Sequence, residues 1–186
     1  MLLAGASGSG KSRLARLSGC PRVTLDDFYH EVDHPDLPQT LGIVDWDHLD
    51  SWDSEGALTA LTALCRTGEA EVPLYDIAQS RRTGTQRLTL GEADVFIAEG
   101  VFAPEMVPRC QEAGRPVDAI WLDRPRTLSL ILRFVRDVRE HRKPVPVLIR
   151  RGLALWQAEP GVRRRAIALG CRPLTMSQAI TLLTRR

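Results

Sequence analysis

The chain has 186 residues, 44% apolar and 26% charged, which is the balance of a folded globular protein with one sizeable core. Its net charge of +2 gives no argument for nucleic acid as a partner. No apolar run approaches membrane-spanning length, and Met1-Leu2-Leu3-Ala4 lacks the basic flank and the length of a signal peptide, so no membrane partner and a cytoplasmic location are expected.

The apolar residues 2–4 predict a buried strand. Gly5-Ala6-Ser7-Gly8-Ser9-Gly10-Lys11-Ser12 follows at once, a complete G-x-x-x-x-G-K-S phosphate-binding loop, and residues 12–17 open a helix. Each part of that loop has a chemical reason. Glycines let backbone N–H groups curl around a phosphate, Lys11 reaches the β- and γ-phosphates, and Ser12 offers a hydroxyl to Mg²⁺. Strand, glycine loop and helix start together aim a helix dipole at an anion. Leu14, in the first helical turn, is counted with the same nucleotide site. Lys11 and Lys143 are the only lysines among 25 Lys and Arg residues, so a chain that otherwise uses Arg still places the compact ammonium in the loop.

Residues 23–25 predict a second strand ending at Asp26. A carboxylate there faces the loop and can take a proton from a hydroxyl or bind Mg²⁺ through water; a helix cap is the plain alternative. Asp27 should point elsewhere, as a cap or surface residue. A helix is expected over residues 57–65, stopped by Gly68. Residues 74–77 and 87–90, with Gly84 between them, predict a hairpin inserted before a strand at 95–98. That strand ends in Glu99, a second carboxylate suited to Mg²⁺, or else to solvent. Another strand is expected at 119–122. A helix over 128–141 carries an apolar stripe of Leu128, Ile131, Leu132, Val135 and Val138, with Arg133 and Arg136 on a different, polar face. A fifth strand at 166–169 and a closing helix at 176–184 complete the pattern. Apolar runs alternating with helices argue a parallel α/β sheet in a single domain, residues 1–186.

Charge is unevenly spread. Residues 26–53 hold nine acidic residues and no Lys or Arg, whereas residues 124–165 hold twelve basic residues against Asp137, Glu140 and Glu159. That fits a site with a metal and hydroxyl end and a phosphate end, or two solvated faces of opposite sign. Cys20, Cys65, Cys110 and Cys171 are too far apart for a local zinc motif and give no disulfide framework, so they read as reduced and mostly core. Tyr29, Trp46 and Tyr75 are candidate stacking groups, while Trp52 suits ordinary core packing.

Six stretches in order resemble the uridine kinase and phosphoribulokinase branch of P-loop kinases. They are Gly5 to Ser12, Val23-Thr24-Leu25-Asp26-Asp27-Phe28-Tyr29, Asp45-Trp46-Asp47-His48-Leu49-Asp50-Ser51-Trp52-Asp53, Val72-Pro73-Leu74-Tyr75-Asp76, Phe96-Ile97-Ala98-Glu99-Gly100-Val101 and Arg133-Phe134-Val135-Arg136-Asp137. The resemblance implies the P-loop NTPase three-layer sandwich, with a central parallel sheet of about five strands, a hairpin insert at about 72–91 and a basic lid region at about 128–151. It implies ATP and Mg²⁺, a nucleoside-like acceptor and the homo-oligomers common among such kinases. Asp26 would be the base on the 5′-hydroxyl, Asp47 the ribose contact, and Tyr29 and Tyr75 the walls of the base pocket. Arg81 would help hold the substrate, Arg133 and Arg136 would be lid arginines, and Arg172 would lie near adenine. The chain departs from the pattern at Gln79, which stands near the place of a base-reading His. Asp26-Asp27-Phe28 is also similar to nicotinamide riboside kinases. Pantothenate or a sugar are further acceptors for the same chemistry, and a non-catalytic ATP-binding regulator is the contrasting class. No N-K-x-D guanine-reading motif is present. Arg150-Arg151-Gly152-Leu153-Ala154-Leu155-Trp156 has no assigned counterpart.

Overall fold

The structure is a computed structural model. It describes residues 1–40, 42–139 and 145–184; within these, the side chains of residues 136, 137, 139, 145–147, 150, 151 and 184 are not described. In chain order the elements are β1 (Leu2–Ala4), α1 (Lys11–Leu17), β2 (Arg22–Thr24), β3 (Gln39–Thr40), β4 (Ile43–Val44), α2 (Ser54–Thr67), β5 (Glu69–Asp76), β6 (Arg81–Thr89), β7 (Ile97–Glu99), α3 (Met106–Glu112), β8 (Ala119–Leu122), α4 (Arg126–Arg139), α5 (Val145–Ala168), β9 (Arg172–Leu174) and α6 (Met176–Thr184).

Five strands form a parallel sheet in the order β2-β7-β1-β8-β9. The central strands β1 and β8, covered on both faces, read as unbroken apolar runs. Leu2 and Ala4 of β1 pack with α2 and α3 around Leu61, Leu64 and Met106. Leu3 between them faces the other way, with Leu14 of α1 and Ala179 and Leu183 of α6. That alternation makes the three layers. The order also sets the site. The chain leaves β1 and skips β7 to reach β2, so a crevice opens at the carboxyl ends of β1 and β7. Among the described residues no helix is long and apolar enough to cross a membrane.

Asp53 caps α2 by accepting from the Gly56 N–H at 2.8 Å, and Gly68 (φ 74) ends it. The helix is therefore longer at both ends than periodicity alone gives. The hairpin is also longer. Its turn is residues 77–80, tied by Asp76 Oδ1 accepting from the N–H groups of Ala78 and Gln79. Gly84 lies inside β6 opposite Leu74, next to a register shift, rather than in the turn. Ala70 and Val72 of β5 are buried in the main core, which binds the hairpin to the sheet domain.

Two expectations are corrected. Residues 166–169 are not a strand; Ala166 and its neighbours end α5. Gly170 (φ 102) closes that helix, with Gly170 N–H on Ile167 O and Cys171 N–H on Ala166 O, and the fifth strand comes after it. A short apolar run carries no period to separate the two readings. The apolar stripe of α4 is not its buried face either. Leu128, Ile131, Leu132, Val135 and Val138 are all exposed, whereas Ser129 and Arg133 are buried.

Trp52 is 2% exposed and its Nε1–H donates to Leu25 O at 2.7 Å, pinning the residue before Asp26. Trp52→Phe removes that buried bond and leaves a gap where the larger indole packed. The expected loss is about 2 kcal/mol of stability, read as a lower urea midpoint with an unchanged slope.

Candidate active site

The phosphate loop is built around backbone that only glycine adopts without strain. Gly8 has φ 85, and a Cβ there would stand 2.6 Å from Ser129 O and 3.1 Å from Arg133 Cβ. The α4 helix therefore lies directly on the loop. Gly10 caps α1 with no side-chain hydrogen bond. Lys11 Nζ donates to Gly5 O at 2.8 Å and Ala6 O at 3.2 Å. Arg133 Nε and Nη2 both donate to Ser7 O, at 3.2 and 2.8 Å. Those bonds tie α4 to the loop, and within the loop the Ser9 N–H donates to Ala6 O at 3.0 Å. Two buried hydroxyls at the loop, Ser9 Oγ and Ser129 Oγ, have no hydrogen-bond partner. Unpaired buried hydroxyls beside a cradle of amides fit a phosphoryl ligand.

The acidic edge lies at the ends of β2 and β7. Leu25 to Phe28 forms a single 3-10 turn. Asp26 Oδ1 accepts the Val101 N–H at 3.0 Å. The approach needs Gly100, where a Cβ would come within 2.7 Å of Asp26 Oδ1 and of Leu25 Cβ. Glu99 is buried, with Arg22 Nη1 3.7 Å from its Oε1. Asp27 does not point away as an extended chain would have it. The tight turn keeps it half-buried, and its carboxyl is pushed up to about 6 by burial and by the Asp26 charge, with Glu99 adding and Arg22 opposing. A carboxyl raised by its acidic neighbours marks a place that suits a bound cation. Among the described residues no three His, Cys, Asp or Glu side chains could hold a metal by themselves. That matches Mg²⁺, which takes one or two carboxylates and completes its shell with water and phosphate oxygens.

Beside Asp26 lies an aromatic cluster. The Tyr29 ring centroid is 5.7 Å from that of Trp46, 5.9 Å from Phe102 and 6.1 Å from Tyr75. Tyr29 Oη donates to Trp46 O at 3.1 Å, and Tyr75 Oη to His30 O at 3.0 Å. Burial, first of all, and the neighbouring His34 hold the His30 imidazole below its ordinary pKa.

Several expected site residues stand elsewhere. Leu14 is buried in the core behind α1, packed with Leu3 and Leu122. Arg172 is at the amino end of β9, where it pairs with Asp118 at 2.6 Å, whereas the loop is at the carboxyl edge. Gln79 Nε2 donates to Asp76 Oδ2 at 2.8 Å within its own turn, and Arg81 pairs with Asp33 at 2.9 Å. Asp47 is exposed, its N–H on Asp45 Oδ1 at 3.1 Å. Arg136 belongs to α4, but its side chain lies outside the described residues, as do residues 140–144 of the lid region. Ser129 and Phe102 are site neighbours that the pattern did not single out, and Asp27 is one that it set aside as a cap or surface residue; a serine inside an apolar stripe was the signal for the first. Two arginines of the basic stretch are shown in ion pairs. Arg163 bonds Asp123 at 3.1 and 2.8 Å, and Arg165 bonds Glu105 at 2.6 and 3.0 Å.

No protein-family model matches the chain. The chain is 30% identical over 155 residues to the uridine kinase of Macrococcus caseolyticus (strain JCSC5402), covering 79% of this chain and 72% of that protein. Among solved structures it is similar to a candidate fructose transport system kinase from Silicibacter sp. TM1040, with a TM-score of 0.63 and 23% identity over 94% of this chain and 86% of that one. It is also similar to a candidate uridine kinase from Bacillus stearothermophilus, with a TM-score of 0.50 and 20% identity over 88% of this chain and 83% of that one. These two likenesses carry the fold: a P-loop three-layer sandwich with a five-stranded parallel sheet and an added antiparallel hairpin. With phosphate loop, acidic edge and sequence relationship in agreement, the chain belongs to the uridine kinase-like family of P-loop kinases, phosphotransferases with an alcohol group as acceptor.

Proposed function

We propose that the chain transfers the γ-phosphoryl group of ATP to the 5′-hydroxyl of a nucleoside of the uridine or cytidine type. The observation that carries this reading is Asp26. Its Oδ1 is fixed by the Val101 N–H at the sheet edge that bears the phosphate loop, with an aromatic wall at its side. Gly5, Ser7, Gly8, Ser9 and Gly10 would hold the phosphates through their amides. Lys11 would exchange the Gly5 and Ala6 carbonyls for β- and γ-phosphate oxygens. Ser12, Asp26 and Glu99 are the oxygen donors for Mg²⁺, which neutralises phosphate charge when bound. Asp26 takes the proton as the acceptor hydroxyl attacks. Arg133 and Arg136 bring positive charge from α4. Tyr29 and Tyr75 flank the base, and Asp47, next to Trp46, accepts from the ribose hydroxyls.

A second reading keeps the chemistry and changes the alcohol, to nicotinamide riboside, pantothenate or a sugar. The observation in its favour is that Gln79 and Arg81 are turned to Asp76 and Asp33 instead of the aromatic cluster.

ADP release with Mg²⁺ and ATP across uridine, cytidine, adenosine, guanosine, nicotinamide riboside, pantothenate and common sugars decides between them. Fastest turnover on uridine or cytidine supports the first reading, and turnover confined to a sugar or pantothenate removes it. Lys11→Ala should abolish transfer. Asp26→Asn should keep ATP binding and lose about 10²–10⁴ in rate; an unchanged rate would move the base to Asp27 or Glu99. Gly100→Ala should displace Asp26 and lower kcat at least tenfold, with ATP affinity within about twofold of the parent. Equal kcat in the two proteins would show that the Asp26 position is not held by this close approach.

A further inference from the structure

Helix α5 has a proline in its interior, Pro160. Proline has no N–H, so the carbonyl four residues earlier, that of Trp156, lacks its ordinary helical donor. Arg126, the first residue of α4, supplies another: its Nη2 donates to Trp156 O. The same guanidinium lies over the Trp156 indole, its carbon 4.1 Å from the ring centre, which is the placement of a cation–π contact. Arg126 Nε is buried with no hydrogen-bond partner, so the carbonyl and the ring face are the anchors of this side chain. A second tie runs beside the first. Arg163, two turns beyond Trp156 on the same side of α5, bonds Asp123 Oδ1 and Oδ2 at 3.1 and 2.8 Å. Asp123 directly follows β8 and Arg126 opens α4, so α5 grips the short connection between them at two points. What that grip controls lies further along α4. Ser129 and Arg133 follow Arg126 by about one and two turns on one helix face. There a Gly8 Cβ would stand 2.6 Å from Ser129 O, and Arg133 donates to Ser7 O at 2.8 Å.

We infer that Arg126, Trp156 and Pro160 are positioning residues that set α4 on the phosphate loop. The proline frees the Trp156 carbonyl, and that carbonyl together with the indole face locks Arg126 and with it the first turn of α4. The helix then arrives at Gly8 in the one placement where Ser129 packs on the loop and Arg133 reaches Ser7 O. A proline inside a helix costs stability, and here the carbonyl it releases has a use. Trp156 ends the Arg150 to Trp156 stretch, which follows no assigned motif, and this lock gives that end a role. The consequence in turnover rests on the kinase reading above, but the consequence in nucleotide binding does not.

The test is a cycle of Arg126→Ala, Pro160→Ala and the double substitution. Each protein is measured for Mg²⁺·ATP affinity by calorimetry, for kcat and KM on the acceptor that the parent phosphorylates, and for its urea midpoint. Arg126→Ala should weaken ATP binding about threefold and lower kcat about tenfold, with the acceptor KM unchanged, the scale of a slight misplacement of positioning groups. Pro160→Ala restores an N–H that competes for Trp156 O. It should lose ATP affinity and kcat in the same direction while its urea midpoint stays level or rises, because alanine suits a helix interior far better than proline. That split separates positioning from a merely structural role. The double variant should bind ATP no more weakly than Arg126→Ala alone, because both changes break one connection. Parental ATP affinity in either single variant, or losses that multiply in the double variant, would overturn the inference. If Arg126→Ala does not fold, Pro160→Ala decides: weaker ATP binding at an undiminished urea midpoint supports the lock, and parental binding, or a loss that comes with a lower midpoint, overturns it. A parent that binds ATP but turns over no acceptor would sink the acceptor reading alone, since the affinity cycle would still report on the lock.

Discussion

The site depends on one close approach, that of α4 to the phosphate loop at Gly8. Any Cβ at that position would collide with the Ser129 carbonyl. The contact is possible because the helix presents a small residue and an arginine to the loop instead of its aliphatic side. Arg133 then reaches Ser7 O and ties the helix to the loop. The consequence is visible across the helix. Aliphatic residues that would ordinarily seek the core face outward, and Ser129 and Arg133 are buried. A helix whose inner face must serve a phosphate site cannot follow the usual pattern of apolar in and polar out. Local pattern and site requirement conflict here, and the site requirement decides.

The acidic edge rests on a second close approach of the same kind. Gly100 lets the chain leaving β7 touch Asp26 and Leu25, and Trp52 fixes the Leu25 carbonyl from the other side. The Asp26 carboxylate is thus held by the Val101 N–H, and the residue before it by the Trp52 indole. If Asp26 is the base of the proposed transfer, such precise placement counts for more in rate than intrinsic basicity. The neighbouring Asp27 and Glu99 add negative potential that a divalent cation would relieve.

Much of this was legible in the sequence, for identifiable reasons. The phosphate loop is read from spacing because each of its residues has its own chemical reason. Four of the five core strands are apolar runs ending at a turn or a carboxylate. The fifth was misplaced, since Ala166 to Leu169 is short, apolar and without period, and only the Gly170 turn shows that a helix ends there. The hairpin strands began too late because Pro73 and the charges around it hide the inward alternation of Ala70 and Val72. Asp27 was assigned a surface role on the assumption of an extended chain, which the tight turn removes. Arg172 and Leu14 were placed by analogy alone, and in the structure a local ion pair and core burial account for them. Long-range partners such as Arg133 with Ser7 O leave no local signal at all.

The aromatic cluster shows what kind of acceptor recognition this fold can supply. The hydroxyls of Tyr29 and Tyr75 both donate to backbone carbonyls, Trp46 O and His30 O, and Trp46 packs edge-on to Tyr29. The polar ends of the cluster thus bind the chain to itself, and its flat faces are what it offers to a ligand. A pocket of flat apolar walls separates ring systems only weakly, by about 1–3 kcal/mol, whereas a pocket with dedicated hydrogen-bonding groups rejects wrong ligands far more strongly. Gln79, the hairpin residue that could have supplied such a group, is tied to Asp76. On the proposed reading, discrimination among acceptors would come from the hydroxyls that meet Asp26 and from the exposed Asp47 segment, and less from the edge of any base.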